Sequence, residues 1–108
     1  MGENPPENRV ENDVASLIYS FAQLEAFTAV AEHGSLMKAA SKLGKDRTTL
    51  RDLIDFLEAG LGYAPFLREG RRLRLTPEGE QPQRQATLLT RQVKEFEEVD
   101  HTGQARAT

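Results

Sequence analysis

The chain has 108 residues, a formal net charge of -3 and no cysteine, which allows one small domain with a single core and leaves no room for a second, catalytic one. Disulfides, thiolate metal sites and thiol redox chemistry are excluded. No apolar run approaches the roughly 20 residues of a membrane span, so the chain reads as soluble and cytoplasmic, and its acidic balance is the wrong sign for a dedicated nucleic-acid binder.

Residues 1–13 hold Pro5-Pro6, three asparagines and four acids with almost nothing apolar. Such a stretch cannot offset its ordering entropy by burial and reads as a disordered acidic tail. Residues 14–19, V-A-S-L-I-Y, turn abruptly apolar. Phe21, Leu24, Phe27 or Thr28, and Val30 or Ala31 then recur at helical spacing up to Gly34. The helix begins either at Phe21, with Ser20 as its N-cap, or near Val14, because Val14, Leu17 and Ile18 extend the same period backwards and Asn12 or Asp13 can cap it. A short strand over residues 14–19 is a third option. His33, just before Gly34, reads as a cation at a helix C-terminus. Neither it nor His101 has a partner at metal-ligand spacing, so no metal or cofactor is expected.

Gly34-Ser35 ends that helix and caps the next, over residues 36–43, with Leu36, Ala39, Ala40 and Leu43 on one face. Gly44 breaks it. Asp46 is placed to cap a third helix whose stripe is Leu50, Leu53 or Ile54, Leu57 and Leu61. Two short helices joined at Gly44 form a helix-turn-helix pattern, the element that sets its second helix in the DNA major groove. Phe66-Leu67-Arg68, a Glu69-Gly70 turn and Arg71-Arg72-Leu73-Arg74-Leu75 alternate apolar and basic residues as a hairpin wing does. Thr76 and Pro77 are an N-cap and a first-turn proline.

Beyond them Ala86, Leu89, Val93 and Phe96 form a narrow apolar seam on a polar helix. The seam pairs with the same helix of a second copy, giving a homodimer, or packs back on its own domain. Pro82 requires either a kink or a helix start at Pro82 itself. The expected organisation is therefore a tail over 1–13, a winged helix-turn-helix with an apolar N-terminal extension over 14–76, a linker and dimerisation helix over 77–100, and a flexible tail over 101–108.

The strings G-S-L-x-x-A-A-x-x-L, L-E-x-x-L-G, F-x-R and L-T-x-x-G occur in this order, without gaps, from Phe21 to about Ala86, roughly two thirds of the chain. Together they resemble the N-terminal domain of LysR-type transcriptional regulators. The resemblance implies a mainly α fold, three helices with a short β-hairpin wing, followed by a long helix through which such proteins dimerise. Family members carry an effector-binding domain after that helix; this chain ends soon after Asp100, so no small-molecule effector is expected. Where relatives commonly place arginine or lysine on the recognition helix, this sequence has Asp52, Asp55 and Phe56.

Charge bears on two functions. From Asp46 to Glu58 two cations face four anions, and over residues 21–80 nine cations balance nine anions. Phosphate neutralisation supplies much of DNA affinity, so the recognition helix argues against DNA. The pattern favours an antiactivator that docks on another transcription factor through Val14, Leu17, Ile18, Tyr19 and Phe56, although residues 14–19 can equally be extra core. Small quorum-sensing antiactivators that disrupt dimers of a LuxR-type receptor look similar in size and architecture. The alternative is a conventional DNA-binding regulator with Arg47, Thr48, Thr49 and Arg51 facing bases and the wing arginines Arg68, Arg71, Arg72 and Arg74 on phosphate. No nucleophile-base pair, phosphate-cradling glycine loop or carboxylate constellation supports an enzyme.

Overall fold

A computed structural model describes residues 19–99 of the chain. The order is α1 (Phe21–His33), α2 (Leu36–Leu43), α3 (Arg47–Leu61), β1 (Phe66–Glu69), β2 (Arg72–Leu75) and α4 (Pro77–Glu97). Four helices and an antiparallel hairpin make a winged helix-turn-helix with a long helix appended, as the sequence predicts.

The caps explain why each helix starts where it does. Ser20 accepts from the Gln23 N–H at 3.2 Å while the Gln23 side chain accepts from the Ser20 N–H at 3.1 Å, a reciprocal box that satisfies two first-turn donors. Of the two possible starts, α1 therefore takes Phe21; Val14, Leu17 and Ile18 lie outside the described residues. Ser35 caps α2 through the Lys38 N–H, and Asp46 caps α3 through the Thr49 N–H at 2.8 Å. Gly44 ends α2 with φ +68°, a left-handed conformation that glycine adopts without a Cβ penalty.

Helix α1 is the centre of the domain, packing against α2, α3, α4 and β2. It buries Ala26, Phe27, Ala29 and Val30, which meet Ala39 and Ala40 of α2 and Leu50, Ile54 and Leu57 of α3 in one core. The two alanines of α2 contribute little volume there and leave room for its neighbours to approach.

The wing closes with Phe66 opposite Leu75 and Glu69 opposite Arg72. Its two-residue turn is thus Gly70-Arg71, one residue later than the expected Glu69-Gly70. Gly70 takes φ +64° at the first position of that turn, a left-handed conformation suited to glycine in a two-residue hairpin loop. The ribbon places Phe66, Leu73 and Leu75 on one face, with Phe66 edge-on to Phe27 at a centroid distance of 5.5 Å. On its outer edge β2 also bonds the α1–α2 turn, Leu73 N–H to Gly34 C=O at 2.9 Å.

Helix α4 is continuous from Pro77, so Pro82 neither starts nor ends it. Proline lacks the N–H that would bond to the carbonyl four residues earlier, here Glu78. The Tyr63 hydroxyl donates to that carbonyl at 3.3 Å and supplies the missing partner. Gly79 sits so close to the wing root that a Cβ there would lie 2.6 Å from the Pro65 carbonyl oxygen, which accounts for the glycine in L-T-x-x-G.

Ala86 was expected on the dimer seam and is corrected here: it is 2% exposed, within the core of its own domain. Its small side chain and helical spacing fit a seam and a helix–helix contact equally. Thr90 is the last buried residue of α4, and every residue from Arg91 to Val99 is exposed. The end of α4 extends beyond the core, held to α1 by a Lys94–Glu25 ion pair at 3.6 Å.

Candidate nucleic-acid interface

Helix α3 buries Leu50, Ile54 and Leu57, so its opposite face is turned to solvent. On the wing side of that face Arg47 and Arg51 line a groove of about 470 Å³. Arg68, Gly70 and Arg71 of the hairpin form the second wall, and Ser35, Leu36 and Met37 at the start of α2 close the end. Four guanidinium groups and the positive end of a short helix border this groove, and no acidic side chain does.

The expected wing arginines separate. Arg71 joins Arg47 and Arg51, and so does Arg68, which faces the groove because it shares a ribbon face with Leu73 and Phe66. Arg74 is on the opposite ribbon face and bonds Glu69 at 2.9 Å, while the Arg72 guanidinium lies beside Gly34. Arg72 and Arg74 are therefore removed from the groove set. Ser35, Leu36 and Met37 carry no charge and gave no sequence signal for membership; only the packing of α2 against α3 brings them there.

Acids occupy other parts of α3. Asp46 is spent as the N-cap, where the Thr49 N–H holds its carboxyl below the ordinary range. Thr48, Asp52, Asp55 and Ala59 are exposed on the side away from the core. Burial raises the Glu58 carboxyl above its ordinary range, and the nearby Asp55 charge adds to the shift. Phe56 is 63% exposed on the flank away from the arginines.

Among the residues expected to dock protein, Tyr19 is half-buried and packs against the core. Burial lifts its phenol above the ordinary value, with Tyr63 adding a smaller effect. On α4, Leu89, Val93 and Phe96 are 49%, 38% and 77% exposed and adjoin exposed Leu88 and Val99. No helix among the described residues is long and apolar enough to cross a membrane, and none of their acidic or histidine side chains cluster as a metal site.

The fold is a winged helix-turn-helix with a basic groove between its second motif helix and its wing, an architecture of DNA-binding domains. Residues 21–80 match the model of that class described as "Bacterial regulatory helix-turn-helix protein, lysR family", and the chain belongs to this family.

Its curated relatives include a probable hydrogen peroxide-inducible genes activator of Mycobacterium xenopi, 47% identical over 62 residues, 57% of this chain and 33% of the relative. The HTH-type transcriptional regulator PtxR of Pseudomonas aeruginosa is 46% identical over 57 residues, 53% of this chain and 18% of the relative. The chain thus spans a third or less of the length of these two relatives.

Among solved structures, a hydrogen peroxide-bound OxyR mutant of Corynebacterium glutamicum superposes with a TM-score of 0.72 at 30% identity, covering 74% of this chain and 25% of that one. The CbnR DBD–DNA complex gives 0.67 at 29% identity, covering 72% and 90%. The BenM DBD in complex with benA site 1 DNA gives 0.66 at 34%, covering 71% and 86%. The two curated relatives bear the names of transcriptional regulators or activators.

Proposed function

We propose that this domain is a sequence-specific DNA-binding transcription regulator that works as a homodimer. The observation that carries the reading is the groove in which Arg47, Arg51, Arg68 and Arg71 converge without an acid. Two walls of guanidinium groups can hold a phosphate backbone while the start of α3 enters the major groove. The likeness to the DNA complexes of CbnR and BenM supports the same placement. Pairing of α4 through Leu89, Val93 and Phe96 would present two recognition helices to two half-sites.

Asp52, Asp55 and Phe56 on α3 favour the opposite reading, an antiactivator for which DNA binding is doubtful. Against it stands the grouping of the arginines on the wing side, where no acid lines the groove. Docking on another transcription factor, such as a LuxR-type receptor, remains a second reading. It is favoured by the exposed Phe56 beside Asp52.

Titration against a pool of duplex DNA separates the two. The DNA reading expects nanomolar binding of the enriched duplexes at about 0.15 M salt with a steep salt slope. Micromolar binding without sequence preference, together with nuclease-resistant recovery of a transcription factor from lysate, would transfer the function to protein docking.

A further inference from the structure

The exposed ridge of α3 poses a chemical problem that the arginine groove leaves open. At about 3.6 residues per turn, the side chains diametrically opposite the buried Leu50, Ile54 and Leu57 are Thr48, Asp52, Asp55 and Ala59. If α3 enters the major groove, this ridge meets base edges and the arginines meet its rim. A carboxylate has acceptors only. Of the major-groove edges, guanine offers N7 and O6 acceptors and thymine an O4 acceptor, all repulsive to it. Adenine sets its amino donor beside the N7 acceptor, while cytosine presents an amino donor with no acceptor next to it.

We infer that Asp52 is a specificity-determining residue that accepts a hydrogen bond from the N4 amino group of a cytosine in the target site. This rests on the DNA-binding reading above. Asp52 rather than Asp55 is assigned for two reasons. It follows Thr48 by one turn, in the half of α3 nearer the N-terminus that leads into the groove. Asp55 lies further along the helix, one turn from Arg51 and close enough to Glu58 to raise its carboxyl. The flanking Arg47 and Arg51 offset the repulsion between a carboxylate and the nearby phosphates, which makes the acid tolerable at that place.

The test is selection of bound duplexes from a randomised pool by the whole chain and by two variants, followed by competition with single-base changes. The wild-type protein is expected to enrich one cytosine position with about a tenfold preference over other bases. Asp52→Ala should flatten that position and leave the other enriched positions in place, which also shows that the domain is folded. Asp52→Asn should move the preference towards adenine, because an amide both donates and accepts and matches the N6/N7 edge. If Asp52→Ala binds every duplex more tightly with all position preferences unchanged, Asp52 is a repulsive charge and the assignment is wrong. An unchanged cytosine preference in Asp52→Asn overturns it as well. Failure of the wild-type protein to enrich any sequence would instead count against the DNA-binding reading and remove this inference with it.

Discussion

Asp46 uses its charge locally, at the start of α3. Its carboxylate accepts the Thr49 N–H at 2.8 Å and is held below its ordinary value of 3.8. A carboxyl depressed in the folded state stabilises the fold above its unfolded pKa and loses that contribution as pH falls through the folded one. Stability measured by denaturant between pH 6 and pH 3 should therefore fall less for Asp46→Asn than for the wild type, since asparagine caps without titrating. Equal acid sensitivity would separate the cap from the titration. Gly79 is the other residue whose identity follows from a contact. Its absent Cβ leaves room for the Pro65 carbonyl and Leu75, so Gly79→Ala should cost about 1–3 kcal/mol through overpacking, seen as a lower melting temperature by circular dichroism.

At the level of elements, most of what the sequence makes legible is local. Ser35, Asp46 and Thr76 each cap the helix they precede, and Gly34 and Gly44 end helices as expected. The misses are long-range. Alternation in Arg71-Arg72-Leu73-Arg74-Leu75 fits two turns one residue apart, because both put Phe66, Leu73 and Leu75 on one face, and the structure takes the one with Gly70 at the first turn position. The Arg74–Glu69 pair is diagonal across that register, so only the strand alignment shows that Arg74 is engaged away from the groove. Ala86 was misplaced because periodicity gives the face of a helix but not what lies against it. Arg68 could have been placed by its period-two relation to Phe66, which puts the two on one face.

Where α4 continues through Pro82, the Tyr63 hydroxyl takes the place of the missing N–H at the Glu78 carbonyl. Tyr63→Phe should lower stability by up to about 1 kcal/mol by leaving the Glu78 carbonyl without its partner. In Pro82→Ala the backbone N–H returns, and the same Tyr63→Phe change should become nearly silent. A double-mutant cycle by urea denaturation reads this coupling, and additive effects would mean that the hydroxyl does not serve the proline gap.

On the scale of the whole molecule, the core ends at Thr90 while α4 continues to Glu97 with Val93 and Phe96 exposed. An apolar seam on a projecting helix calls for a second helix. Val93→Asp should lower the mass measured by light scattering from that of a dimer towards that of a monomer; an unchanged dimer mass would assign the interface elsewhere. In the proposed function, dimerisation and DNA contact fall to two separate parts of the fold, the end of α4 and the groove between α3 and the wing.

That groove is tested most directly by the salt dependence of binding to a duplex enriched by the wild-type protein. Each guanidinium that neutralises a phosphate contributes close to one unit of slope in log K against log salt. Arg51→Ala and Arg71→Ala are each expected to weaken binding and lower the slope by about one per recognition domain, whereas Arg74→Ala, already paired with Glu69 away from the groove, should leave the slope unchanged. A slope unaffected by Arg51→Ala and Arg71→Ala, or reduced as much by Arg74→Ala, would contradict the assignment of this groove to DNA.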